Sequence, residues 1–461
     1  MQPQGPRGEQ RKTAAQPSLT SCAATEETLL EQVLSRENMQ AALKRVEDNK
    51  GAPGIDGMRV EELRPFLMLQ WPHIRESILK GTYKPQPVKR VEIPKPAGGI
   101  RLLGIPPVLD RLIQQATAQI LSPIFEPVFS ANSYGFRPGR SAHDAVRRAL
   151  QYANEGWRWV VDIDLEKFFD RVNHDKLMAR IARRVKDKRV LGLIRSYLKS
   201  GVMLNGVVIE RTDEGTPQGG PLSPLLSNIM LDDLDKELER RGLRFARYAD
   251  DCNIYVRSAR AGARVKASIT RFLAERLSLT VNETKSAVDR PWRRDFLSFS
   301  MLPGKSLRLR VAKAARGRAE RQIRQRTKRS RSESLEQRIR IVNSFLQGWV
   351  GYFALADTPS IFRELDQWVR RRMRMFLWKQ WKRAKTRHQN LRKLGLSDHF
   401  AWEGAGSKRS YWRLSKSPPL HQALSNQYWK AHGLISLELR HQELRQAWVN
   451  RRPPQRALPV V

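Results

Sequence analysis

Two kinds of hydrophobic spacing divide this chain. Period-two alternation is clearest at 159–164, where Asp162 and Asp164 fall on one face and Val161 and Ile163 on the other. A second such region lies at 245–256, where two short apolar runs flank a turn that carries Asp250 and Asp251, predicting a hairpin. Helical spacing governs most of the remainder. It predicts a short amphipathic helix through Leu29, Leu30, Val33 and Leu34 and a second through Ala41, Ala42, Leu43 and Val46. Apolar helices are predicted at 341–353 and 365–382. Turn-dense segments at 49–57, 94–99 and 214–220 punctuate the pattern, and Ser141 and Asn173 sit where helix N-caps belong. Mixed hairpins and helices of this kind predict an α+β fold. Residues 1–26 are rich in Gln, Pro, Ser and Thr and read as a disordered leader.

Composition adds a partner class. Hydrophobic residues make up 40% of the 461, enough for real cores. Lys and Arg exceed Asp and Glu by 85 to 46, a net charge of +39, far beyond what solubility needs. Such an excess implies a polyanion, nucleic acid before anionic membrane. No apolar run approaches a membrane span and the first 24 residues lack an apolar signal core, so a cytoplasmic protein with no membrane partner is expected. Cys22 and Cys252 are the only cysteines, which excludes a disulfide framework or a cysteine zinc site. Basic residues crowd 305–340, with few acids to pair them; phosphate contact explains that run better than a solvated face does.

The chemistry concentrates in the acidic turn. Two adjacent carboxylates at the tip of an apolar hairpin are costly unless a cation neutralises them. Hard divalent ions such as Mg²⁺ prefer such oxygens and leave room for phosphate. If the 159–164 strand lies beside the hairpin, its carboxylate and those of the turn converge on one metal pair, as nucleotidyl transfer requires.

Tyr248-Ala249-Asp250-Asp251 resembles the signature box of reverse transcriptases, and the upstream strand resembles their first catalytic motif, with Asp164 at its metal-binding position. From about Asn38 to the C-terminal region the order of motifs is similar to that of bacterial group II intron reverse transcriptase/maturases. The resemblance implies a right-hand polymerase: N-terminal extension with fingers and palm at 27–303, a helical thumb at 304–383 and a small DNA-binding module at 384–461. It implies that Asp164, Asp250 and Asp251, with the Leu165 backbone carbonyl, hold two Mg²⁺ ions. Lys95 and Arg101 on a fingers hairpin would reach the triphosphate, Gln218 would lie near the deoxyribose, and Lys285 would protonate departing pyrophosphate. Phe169 would lie under the sugar and exclude a 2′-hydroxyl. His143 reads as structural. Ser298 stands where many relatives carry Gly in the primer-gripping hairpin.

Arg316, Arg321, Arg324, Lys328, Arg371 and Arg374 are the candidate RNA contacts of the basic thumb. Expected partners are the parent intron RNA, an RNA template with DNA primer, deoxynucleoside triphosphates and a DNA target at the nucleoid; the sequence leaves the oligomeric state open. Histidines 421, 432 and 441 show no endonuclease spacing, so the chain resembles the shorter, endonuclease-lacking class C-like intron proteins. Two rivals stay open: a splicing factor with an idle polymerase, and a reverse transcriptase serving phage defence or CRISPR acquisition.

Overall fold

In this computed structural model residues 28–94, 100–204, 207–209, 219–330 and 332–450 are described. At the N-terminal end, α1 (Leu29–Val33), α2 (Arg36–Asn49) and α3 (Val60–Leu79) bury Leu30, Val33, Ala42, Val46 and Leu63. Strands β1 (Val88–Pro94) and β2 (Ile100–Ile105) pair antiparallel from Lys89↔Ile105 to Pro94↔Ile100, and α4 (Val108–Phe125) follows. The buried Asp110 of α4 accepts a 2.7 Å bond from the Tyr83 hydroxyl and another from the Gln86 N–H, tying the fingers strands to the helix. Helix α5 (Ala142–Asn154) starts at Ser141 with a capping box: the Asp144 N–H donates to Ser141 Oγ and the Ser141 N–H to the Asp144 carboxylate.

The central sheet holds β3 (Trp159–Ile163). After it come α6 (His174–Ala182), α7 (Lys188–Leu198), β4 (Val202–Leu204), β5 (Val207–Ile209) and α8 (Ser223–Arg240). Then β6 (Arg244–Tyr248) and β7 (Asp251–Val256) form the expected hairpin, followed by α9 (Ala259–Phe272) and β8 (Ala287–Asp289). Strand order is β6-β7-β3-β8, antiparallel throughout, and a second sheet of order β2-β1-β4-β5 carries the fingers hairpin. Alternation sorts the central sheet as the sequence requires. Val161, Ile163, Phe245 and Ile254 enter one core with α4 and α8, while Val160, Ala246 and Tyr255 enter another with α5. With both faces covered, the rim where β3 ends beside the β6–β7 turn is left for chemistry.

Beyond the sheet, β9 (Phe299–Leu302) and β10 (Arg308–Val311) make a hairpin. The tight turn before it places Leu297 at φ 50° and Ser298 at φ 68°, both left-handed, which is the conformation glycine would take most easily at 298. Thumb helices hold that turn: the Tyr352 hydroxyl donates to the Leu297 carbonyl and Arg318 to Ser298 Oγ. Helices α10 (Lys313–Arg326), α11 (Leu335–Tyr352), α12 (Pro359–Gln380) and α13 (Ala384–Lys393) follow. They are succeeded by α14 (Asp398–Ala405), α15 (Tyr411–Leu414), α16 (Pro418–Ala423), α17 (Asn426–Ala431) and α18 (Leu437–Asn450). One core joins Val146, Met301, Val342 and Trp378 to Leu420, Trp429 and Leu437, so the helices after 383 share the thumb's interior. Among the described residues no helix is long and apolar enough to cross a membrane.

Candidate active site

Register brings the carboxylates together. Ile163 pairs with Cys252 across β3 and β7, so Asp164, one residue beyond, lies beside Asp251, and Asp250 occupies the turn between Tyr248 and Asp251. The backbone at Asp164 is clamped: its N–H donates to Ser286 Oγ at 2.9 Å and its carbonyl accepts from the Asn282 N–H at 2.8 Å. A cavity of about 750 Å³ opens over this corner, lined among others by Asp164, Leu165, Phe169, Gly219, Gly220, Asp250 and Lys285. Five expected site residues, Asp164, Leu165, Phe169, Asp250 and Lys285, therefore meet around one space. The Lys285 ammonium lies 3.3 Å from Asp164 Oδ2. Phe169 packs edge-on against the buried Phe168 at 5.2 Å and presents its ring to the cavity.

Asp251 completes the electrostatics. Burial first, and then the charges of Asp162, Asp250 and Asp164, push its carboxyl well above the usual carboxylate range. Asp162 is answered by Arg294, whose Nη2 lies 2.6 Å from Oδ2 and which also donates to the Lys285 carbonyl. Among the described residues no three His, Cys, Asp or Glu side chains converge closely enough to hold a metal ion as they stand; Asp164 faces the Lys285 cation. The donor chemistry nonetheless suits a hard divalent ion: Asp164 and Asp250 line an open cavity, and the adjacent Asp251 is held from ionising by burial and by neighbouring acids, a penalty that a bound cation would offset.

A residue not expected from the sequence holds the turn. Arg247 is fully buried on β6 and pairs with fully buried Asp235 of α8 at 2.5 and 2.7 Å. Its other donors go to Asn228 Oδ1 at 3.1 Å, Ser133 Oγ at 2.9 Å and the Ala249 carbonyl at 2.8 Å. Ala249 itself stands at φ 57°, a left-handed conformation costing about 1–2 kcal/mol for a residue with a side chain. The fork thus fixes the peptide immediately before Asp250. A weak signal existed: Asn228 and Asp235 are seven residues apart on one face of an apolar helix, and Arg247 interrupts an apolar strand.

Other expected residues fall elsewhere. Lys95, Gln218 and the leader at 1–26 lie outside the described residues, as does the Arg101 side chain, although Arg101 pairs with Ile93 in the fingers hairpin. Gly219, at φ 130°, approaches the Gly104 carbonyl of β2 so closely that a Cβ would stand 2.4 Å from it. Arg321, Arg324 and Lys328 are exposed along the basic thumb. Arg316 is bound to Glu320 and Glu364, both at 2.9 Å. Arg371 is half-buried, stacked 3.6 Å over Trp412. Arg374 corrects the sequence reading: it is buried, donates to the Leu424 and Ser415 carbonyls, and is withdrawn from any surface RNA. Burial pushes it and its neighbour Arg372 down to about 10. His143 Nε2 meets the Tyr352 carbonyl at 2.6 Å, a structural tie as expected.

An antiparallel β6-β7-β3-β8 sheet with its carboxylates at the β3 and hairpin corner, covered by fingers and continued by a helical thumb, is the right-hand fold of a reverse transcriptase. Residues 93–301 match the reverse transcriptase (RNA-dependent DNA polymerase) family, a class that generally uses divalent metal ions. Residues 317–395 match the group II intron maturase-specific domain. The chain thus carries a reverse transcriptase domain followed by a group II intron maturase-specific domain.

Relatives agree. Protein YkfC of Escherichia coli (strain K12) is 41% identical over 239 residues, covering 50% of this chain and 62% of YkfC. Group II intron-encoded protein LtrA of Lactococcus lactis subsp. cremoris is 40% identical over 214 residues, covering 45% of this chain and 34% of LtrA. This chain therefore spans less than two thirds of the length of either. A partial Cas6-RT-Cas1–Cas2 complex aligns at 27% identity and a TM-score of 0.36, over 54% of this chain and 42% of that one.

Proposed function

We propose that this chain is an RNA-directed DNA polymerase that also binds its parent group II intron RNA, assisting splicing and priming cDNA synthesis at a DNA target. The observation that carries the reading is the register of β3 and β7, which sets Asp164 against the 250–251 turn over the cavity that Phe169 and Lys285 share. Asp164, Asp250, Asp251 and the Leu165 carbonyl would hold two Mg²⁺ ions, which when bound supply activation of the primer 3′-hydroxyl and stabilisation of departing pyrophosphate. Lys285 is the proton donor to that leaving group. Lys95 and Arg101 grip the triphosphate, and Gln218 contacts the sugar. The segments 27–303, 304–383 and 384–461 serve as fingers and palm, thumb, and DNA-binding module, with the last two sharing one core.

The exposed Arg321, Arg324 and Lys328 supply phosphate contacts for intron RNA or duplex. Primer extension on an RNA template with a DNA primer and deoxynucleotides tests the polymerase; absence of any cDNA across a Mg²⁺ titration sinks it. Intron splicing at near-physiological Mg²⁺ tests the second role, and splicing that is indifferent to added protein removes it.

Phe169 yields a sharper expectation. Phe169 lines the cavity, which supports the reading that its ring takes the space a ribose 2′-hydroxyl would need. Phe169→Ala should raise incorporation of ribonucleotides relative to deoxynucleotides by roughly 10- to 100-fold, the range a single steric contact discriminates. Single-nucleotide incorporation assays with matched dNTP and rNTP check it, and an unchanged ratio removes Phe169 from sugar selection.

A further inference from the structure

Phe136 combines two features that folding alone does not reward. The residue is 55% exposed, so it buries little apolar surface, and its backbone sits at φ 58°, a region a bulky residue avoids. Both flanks are fixed. The Gly135 carbonyl accepts a 2.9 Å bond from Asn228 Nδ2, and a Cβ at Gly135 would stand 2.3 Å from the Ala249 nitrogen, so this strand of chain is pressed against the carboxylate-bearing turn. On the other side Arg137 is buried, bonded to Glu126 at 2.7 Å and to the Ser133 carbonyl at 2.9 Å. Held between them, Phe136 points its ring into the same cavity that Asp164, Asp250 and Phe169 line, 6.2 Å from the ring of Tyr248 at 45°.

We propose that Phe136, with Tyr248, forms an aromatic platform that stacks a nucleobase of the primer–template duplex beside the catalytic turn. The proposal rests on the polymerase reading and names a contact within it. A phenyl ring offers no donor to a phosphate or hydroxyl, but every base has a flat π-face that it can cover, and such stacking tolerates any sequence, as template copying demands. Anchoring the backbone while leaving the ring in solvent is the arrangement of a contact prepared for a ligand. The base can belong to the template or to the primer.

The test compares wild type with Phe136→Ala, Phe136→Trp and Phe136→Gly in primer–template binding, single-nucleotide extension and melting temperature. The duplexes are intact, or carry one abasic residue either at the templating position or at the primer's penultimate position. Phe136→Ala should weaken extension efficiency on the intact duplex roughly tenfold, a loss typical of one stacked base, and Phe136→Trp should restore it. On a duplex abasic at the contacted position, Phe136→Ala should cost nothing further, which identifies the strand. Phe136→Gly should lose efficiency as alanine does while melting no lower than wild type, because glycine relieves the left-handed backbone.

Full efficiency of Phe136→Ala on the intact duplex overturns the platform, as do losses that add to abasic losses in both strands. A fall in melting temperature for Phe136→Gly makes the ring a packing residue and overturns it too. Wild-type protein that extends no primer at all would instead remove the polymerase reading.

Discussion

Asp250→Asn and Asp164→Asn are each expected to cut cDNA synthesis by at least ~10³-fold, about 4 kcal/mol of barrier, while leaving the protein at least as stable as wild type. The first half follows from position: these two side chains line the cavity at the end of β3 and in the hairpin turn, where the proposed ions must sit. The second half follows from repulsion. Asp251 is already forced toward its neutral form by burial and by Asp162, Asp250 and Asp164, so removing a neighbouring charge relieves the native state. A site that stores like charge for function gains stability when function is removed. Primer extension together with thermal melting checks both halves, and either variant retaining wild-type rates contradicts the carboxylate assignment. Intron binding should survive Asp250→Asn, because the exposed cations on the thumb are distant in sequence from the turn and keep their charge.

The sequence was legible where chemistry and local spacing coincide. Alternation at 159–164 and the hairpin at 245–256 were legible from spacing alone, and once β3 pairs with β7 the register sets Asp164 opposite Asp251. Caps at Ser141 and Asn173 were legible because their bonds are local, to residues three positions on. Pairings that depend on tertiary placement were not. Arg374 sits in a basic run and reads as surface, yet Met373, Met375, Phe376 and Leu377 around it are all buried, so this part of α12 is enclosed on every side and its arginines bind carbonyls instead of phosphates. The helix α3, with Pro65 and Pro72 inside it, also went unread, because proline normally argues against a helix interior. The resemblance implies a module after residue 383, and the side chains of Leu420, Trp429 and Leu437 there pack into the core begun by α11 and α12, a tertiary contact that no local spacing announces.

Arg247 is the residue whose loss should reach furthest from its own position. Its guanidinium is completely buried, and it serves Asp235, Asn228, Ser133 and the Ala249 carbonyl at once. Removing one member of a buried, hydrogen-bonded ion pair leaves the other charge stranded, at a cost of about 3–5 kcal/mol. Arg247→Leu should therefore lower the melting temperature by roughly 6–10 °C, taking about 2 °C per kcal/mol for a domain of this size. Asp235→Leu should cost a similar amount. The double variant should cost clearly less than the sum, since neither charge is then left alone.

Catalysis supplies the readout that stability alone does not. The bond to the Ala249 carbonyl steadies a left-handed peptide directly before Asp250, and a displacement of about 1 Å there is worth roughly 10²-fold in rate. Arg247→Lys keeps the charge but loses the planar fork, so it should recover much of the stability while leaving kcat depressed and KM for deoxynucleotide nearly unchanged. A lysine variant with wild-type kcat would reduce Arg247 to a structural ion pair. A double variant whose cost equals the sum of the singles would show that the two charges act independently, contrary to the 2.5 Å pair between them.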